Sequence, residues 1–240
     1  MNLTLDIGNT LQKIAVFNSD ECVYCESFHL ITTEILTSVF QQFPITNSTV
    51  SSVAGLDVQV VDFLKKYSHF IHYSYKTKIP ITLLYQSAET LGLDRIANAV
   101  GTAASYPNQN VLSIQAGTCL VFDFVNKNNE YLGGSISPGI QMRFDALHNK
   151  TKNLPLLSAE VMQPNCYGND TKSSINCGVI KGIGYEIDGF IEDYKTQFHD
   201  VIVLITGGDA DFLQNSIKNT IFAAQNLVLK GLNEIIKYNV

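Results

Sequence analysis

Leu3-Thr4-Leu5-Asp6-Ile7-Gly8-Asn9-Thr10 is the stretch whose reading decides the fold of this chain. Apolar and polar residues alternate from Leu3 to Asp6, as in a half-buried strand. Gly8-Asn9 reads as a tight turn, and Leu11 to Phe17 as a second strand, so the opening is a β-hairpin. Its tip carries one carboxylate, a glycine and two small polar side chains. Backbone N–H groups at such a tip can hold a phosphate while the carboxylate faces a metal ion. Asp, Gly and Asn are also ordinary turn residues, so this stretch alone does not separate a ligand loop from a well-made turn.

Outward from the hairpin, Glu21 to Phe28 reads as a third strand and Glu34 to Phe43 as a helix that Pro44 stops. Ser48 to Val53 is a short strand ending at Ala54-Gly55, and Val58 to Lys66 is a helix. Strand-like pieces follow near His69 to Tyr73 and Ile79 to Leu84, then a helix from Glu89 to Ala104. The turn-rich Tyr106 to Asn110 is the best boundary. Beyond it the opening recurs: strand Val111 to Ile114, turn Ala116-Gly117-Thr118, strand Leu120 to Val125, turn Asn126 to Asn129, strand Tyr131 to Ile136. LDIGNT (5–10) and IQAGT (114–118) occupy the same place in each half, a weak repeat at a domain-sized period. Pro138 suits the first turn of a helix running to Asn149. Thr171 to Lys195 is partly helical in pattern, Val201 to Ile205 is a buried strand, and Asn226 to Ile236 is a closing helix. The expected architecture is α/β, with similar domains at 1–106 and 107–240 and a ligand cleft between them.

The totals narrow the function. At 240 residues, 45% hydrophobic and 16% charged, the chain can bury a sizeable core. A net charge of −6 argues against a nucleic-acid surface. No apolar run approaches the ~20 residues of a membrane span, and no secretory signal opens the chain. Cys22, Cys25, Cys119, Cys166 and Cys177 are an odd, scattered set, read most simply as reduced thiols in a cytoplasm. Cys22-Val-Tyr-Cys25 has CxxC spacing but lies in a strand-like stretch without a second pair, which disfavours a metal or redox role.

Four loops combine glycine with polar groups: Asp6 to Thr10, Gly92-Leu93-Asp94-Arg95, Ala116-Gly117-Thr118 and Thr206-Gly207-Gly208. Each has a bland reading as a turn or cap. Asp94 could merely cap a helix, or could accept a proton from a substrate hydroxyl while Arg95 grips a carboxylate. Other motifs fail. There is no GxxxxGK[ST] loop, Gly182-Ile183-Gly184 lacks a third glycine, and the five histidines form no metal cluster.

Taken together the loops match a family. DIGNT (6–10), YQSAETLGLDR (85–95) with IANAVG after it, AGTC (116–119), Phe122-Asp123, YLGGSISPGI (131–140), TGGDA (206–210) and LVLKGL (227–232) make the chain resemble type III pantothenate kinases over nearly its full length. The resemblance implies the acetate/sugar kinase–Hsc70–actin fold of two ribonuclease-H-like domains, and phosphorylation of pantothenate by ATP, the first step of coenzyme A synthesis. It implies that Asp6, Ile7, Gly8, Asn9, Thr10, Leu11, Gln12 and Lys13 line the ATP phosphates and Mg²⁺, with Asp6 nearest the metal and Thr118 also on ATP. Asp94 would be the general base, and Tyr85, Gly92, Leu93, Arg95 and Thr171 would join it in holding pantothenate. It also implies a homodimer and a monovalent cation, K⁺ or NH₄⁺. The family's acidic ligand for that cation stands where this chain has Gln115, and Val121 stands where a Thr is usual. Weak or absent cation dependence, or impaired turnover, would follow. A kinase for another hydroxylated molecule and a non-catalytic nucleotide-binding protein are the competing readings.

Overall fold

The fold is seen in a computed structural model that describes residues 1–53, 55–159, 167–214 and 216–240. Ala54, read above as a strand end, and Cys166 lie outside the described residues. The first half of the chain runs β1 (Asn2–Ile7), β2 (Gln12–Asn18), β3 (Glu21–Phe28), α1 (Thr33–Gln42), β4 (Asn47–Ser52), α2 (Val58–Tyr67), β5 (His69–Ile71), β6 (Thr82–Leu83) and α3 (Leu93–Ser105). The second runs β7 (Asn110–Ala116), β8 (Cys119–Val125), β9 (Glu130–Pro138), α4 (Ile140–Lys150), α5 (Thr171–Gln197), β10 (Val201–Thr206), α6 (Ala210–Gln214), β11 (Phe222–Ala223) and α7 (Leu227–Asn239).

The chain packs as two units. The first takes Met1–Asn108, Val125–Gly133 and Asn226–Val240. Its five-stranded sheet has the order β3-β2-β1-β4-β5, with the hairpin strands antiparallel and β4 and β5 parallel to β1. Because side chains alternate along a strand, Leu3, Leu5 and Ile7 face one side, where Ile14, Val16, Leu36 and Leu64 complete a buried core. Asn2, Thr4 and Asp6 face the other. On that side Ala15 and Phe17 pack on Leu229, and the Asn2 side-chain amide donates to Asn233 Oδ1 at 2.9 Å, so α7 lies over the sheet. A single cut near residue 107 would leave this closing helix with the second half; the amphipathic face of α7 instead covers the first sheet, together with α3.

The second unit takes Gln109–Phe124 and Gly134–Gln225. The sheet there runs β11-β10-β7-β8-β9; β6 pairs with Glu130 and Tyr131 at the start of β9, residues that belong to the first unit. Read from β9, this order is third, second, first, fourth, fifth, the same as in the first sheet. Phe122 and Phe124 of β8 stack on Phe190, Tyr194 and Phe198 along α5 and its end.

Three local expectations need correction. The hairpin tip is wider than a two-residue turn: Ile7 pairs with Gln12, leaving residues 8–11 as the loop, closed by Gly8 N–H donating to Leu11 O at 3.2 Å. The helix expected from Glu89 begins at Leu93. Ala88–Thr90 is a single 3₁₀ turn, and Leu91 and Gly92 are extended because Leu91 is drawn into the core. Pro138 closes β9 rather than opening a helix, and Gly139 is the N-cap of α4.

Helix α3 is set against α7 by a backbone crossing that admits no side chain. A Cβ on Gly231 would lie 1.8 Å from Ala97 O, and one on Gly101 2.1 Å from Leu227 O. Forcing a methyl into such a contact shifts the helices apart and typically costs about 1–3 kcal/mol. Gly231→Ala is expected to lower the free energy of unfolding in urea by that amount; an unchanged midpoint and slope would show that the helices do not cross here.

Candidate active site

In the first unit the site is built on two carboxylates. Asp6 is the penultimate residue of β1, flanked across the sheet by Lys13 on β2 and Ser51 on β4. Its carboxyl is pushed up to about 6, from an ordinary 3.8. Burial is the largest cause, the Asp94 carboxylate adds repulsion, and Lys13 opposes both. The two acids therefore face one another closely enough to share a field. Ser51 is fully buried beside Asp6, and its Oγ has no hydrogen-bond partner among the described residues.

Asp94 sits in the first turn of α3, whose N-cap is Gly92, a residue with no side chain to cap with. The Asp94 carboxylate folds over Gly92: a Cβ there would lie 2.5 Å from Asp94 Oδ1. The extended Leu91-Gly92 pair thus does two things. It starts the helix late enough to put Asp94 at the positive end of α3, and it leaves room for the carboxylate. The neighbouring backbone is pinned by Tyr73, whose hydroxyl donates to Leu93 O at 3.0 Å. Burial and the Asp94 charge hold that phenol far above its ordinary value, so it stays protonated as a donor. Arg95 is buried, with 6% exposure. Tyr85 is half-buried, its ring over Gly133 and 6.2 Å from that of Tyr131.

The rest of the hairpin divides by role. Asn9, Thr10 and Leu11 are exposed at the tip. The Ile7 side chain is buried in the core and its carbonyl accepts from Val53 N–H at 3.1 Å. Gln12 Oε1 accepts from Ile31 N–H at 2.7 Å, which ties down the chain after β3. Both side chains are therefore committed to the fold.

In the second unit, Gly117-Thr118 joins β7 to β8, and Gly117 N–H donates to Cys119 O at 3.1 Å. Two other strand ends close on this turn. Gly139 N–H donates to Thr118 O, and Asp209 N–H to Ala116 O, both at 3.1 Å. The approach is so close that a Cβ on Gly139 would lie 2.0 Å from Gly117 O and one on Gly207 (φ +103) 2.1 Å from Ala116 O. The result is a backbone-walled platform with Thr118 exposed upon it and Asp209 half-buried beside it, its carboxyl raised by burial.

Gln115 is half-buried on β7, and its Nε2 donates to Asp123 Oδ2 at 3.2 Å. The NH₂ end of the amide faces the carboxylate, so what Gln115 can offer a monovalent cation is the neutral oxygen Oε1. Thr171 is the first residue of α5, exposed behind the Asp170–Ser173 capping box. It lines a cavity of about 950 Å³ with Pro138, Arg143, Leu147, Asp170 and Ser174. The sequence reading missed Ser51, Tyr73 and Gly139. Ser51 and Tyr73 lie in strand-like runs with no motif, and their places follow only from packing.

A family model described as type III pantothenate kinase matches residues 2–193. The chain belongs to the type III pantothenate kinase family. It is 39% identical over 246 residues to the type III pantothenate kinase of Flavobacterium johnsoniae, covering 100% of this chain and 99% of that protein. Among solved structures, a Baf family protein from Campylobacter jejuni is similar at TM-score 0.59 and 22% identity, covering 99% of this chain and 98% of that one. A glucokinase from an Antarctic psychrotroph is similar at TM-score 0.53 and 11% identity, with 99% and 98% covered. The pantothenate kinase family membership and the actin-like sugar-kinase fold thus agree with the paired α/β units. Among the described residues no helix is long and apolar enough to cross a membrane.

The raised Asp6 carboxyl makes a pH prediction. A carboxyl whose folded value exceeds its unfolded one favours folding when protonated; that contribution is complete below 3.8 and is lost as pH rises through about 6. Without nucleotide, Asp6→Asn is expected to melt higher than the unaltered protein at pH 7, with the difference shrinking toward pH 4. A melting difference that does not change between these pH values would contradict the assigned burial and repulsion.

Proposed function

We propose that the protein phosphorylates pantothenate with ATP to give 4′-phosphopantothenate, opening coenzyme A synthesis. The observation that carries this reading is the pair Asp6 and Asp94, at the end of β1 and in the first turn of α3, with the Asp94 charge acting on Asp6. Phosphoryl transfer asks a protein mainly for positioning and charge neutralisation. Asp94, in the first turn of α3, is assigned as general base on the primary hydroxyl of pantothenate. As its oxygen attacks the γ-phosphorus, the hydroxyl proton passes to Asp94 and the bond to ADP breaks. Arg95, Tyr85, Gly92, Leu93 and Thr171 are assigned to holding pantothenate.

The exposed tip, Gly8, Asn9, Thr10 and Leu11, together with Lys13, is assigned to the ATP phosphates in the first unit, as is Thr118 on its glycine platform in the second. Ile7 and Gln12 take part through position rather than side chain, since theirs are used internally. Mg²⁺ bound with ATP would neutralise charge on the phosphates. The residues fit it: the Asp94 field already disfavours a second bare anion at Asp6, and Mg²⁺ is usually held by one or two carboxylates plus substrate phosphates. No group of three or more His, Cys, Asp or Glu side chains gathers among the described residues, so a cage made by protein alone is not required for this reading. A cytoplasmic homodimer is part of the same proposal.

Two outcomes test it. A positioned base is worth about 10²–10⁴ in rate, so Asp94→Asn is expected to lower kcat for pantothenate-dependent ADP release at least about 10²-fold while ATP binding by calorimetry is largely kept. Near-normal turnover in that variant would remove Asp94 from the chemistry. The Gln115–Asp123 hydrogen bond leaves little for a monovalent cation to do. ADP release is expected to change less than about twofold when K⁺ replaces a bulky organic cation, because an uncharged amide is a weak cation ligand. A tenfold dependence on K⁺ would contradict that reading of Gln115.

A further inference from the structure

β3 is the free edge of the first sheet, and it carries Cys22 and Cys25 as exposed, unoxidised thiols. Three residues apart on a regular strand, they would point to opposite faces. The register with β2 shows otherwise. Ala15 pairs with Cys25 and Val16 with Tyr24, but Phe17 pairs with Cys22, so Val23 is the extra residue of a β-bulge. The bulge resets the alternation. Cys22 and Cys25 stand opposite Phe17 and Ala15, which are two residues apart and share one face of β2.

The two thiols are consequently neighbours. Each thiol acts on the other electrostatically, and Cys22 S–H donates to Tyr24 O at 3.3 Å. Burial raises both thiols, while Lys230 beside Cys22 and Lys13 beside Cys25 favour their thiolates. Both thiols are exposed on the same face of an edge strand.

We propose that Cys22 and Cys25 form a dithiol site that exchanges with low-molecular-weight disulfides and closes to an intramolecular disulfide across the bulge. The step balances as follows. Cys22 thiolate attacks one sulfur of R–S–S–R, forming a mixed disulfide and releasing one R–S⁻. Cys25, after giving its proton to solvent, attacks the Cys22 sulfur and releases the second R–S⁻, which is protonated. Two protein thiols are oxidised and one small disulfide is reduced to two thiols. Closure staples the bulge on the sheet's free edge. Lys13, assigned above to the ATP phosphates, also acts on Cys25, but the dithiol does not rest on the proposed function.

The test equilibrates the full-length protein with oxidised and reduced glutathione and maps thiols by peptide mass spectrometry. The expected result is a Cys22–Cys25 disulfide without retained glutathione. Cys25→Ser should instead keep glutathione on Cys22. The closing constant in the folded protein should exceed that of the urea-unfolded chain by at least about tenfold, equivalent to about 30 mV. Retained glutathione on the unaltered pair, pairing of Cys22 with another cysteine, thiols that stay reduced at every glutathione ratio, or equal constants for folded and unfolded chains would each overturn the proposal.

Discussion

The repulsion between Asp6 and Asp94 is the constraint on which the first unit's design depends. Two carboxylates brought close in a half-buried place cost folding free energy, and burial raises that cost. The fold tolerates them because each is fixed by something else. Asp6 is carried by a strand paired on both sides, and Asp94 by a helix whose backbone is locked against α7 at Gly101 and Gly231. Lys13, opposite Asp6, offsets part of the charge but not all of it. A residual negative pole near an exposed glycine-containing loop suits a site that receives a phosphate accompanied by a cation.

The two units meet similar demands by different means. In the first, an exposed four-residue tip follows Asp6 and the acids dominate. In the second, the equivalent strand position holds Gln115, and its turn is walled by backbone from Gly139 and Gly207. The strand order is the same in both sheets. The charges differ: the paired carboxylates Asp6 and Asp94 belong to the first unit. The Gln115 amide donates to the buried Asp123 side chain.

Much of this was legible in the chain itself. β3 runs over Glu21–Phe28 as the sequence suggested, and LDIGNT and IQAGT fall at matching hairpins because strand patterning and glycine turns are local signals. What could not be read was decided by distant partners. The helix from Glu89 is interrupted because Leu91 is recruited to a core that includes Tyr131 and Leu232, residues far along the chain. The closing helix looks like part of the second half until its glycine meets Ala97. The bulge at Val23 is visible only in the pairing register, and it turns a CxxC spacing that looked inert into adjacent thiols.

The most direct test of the carboxylate pair is site-resolved ¹³C NMR titration of Asp6 in the nucleotide-free protein. The account predicts a value of about 6 for Asp6, falling toward the ordinary carboxylate range when Asp94 is replaced by Asn. An Asp6 that titrates near the ordinary value in the unaltered protein, or that does not respond to Asp94→Asn, would show that the two acids do not face one another.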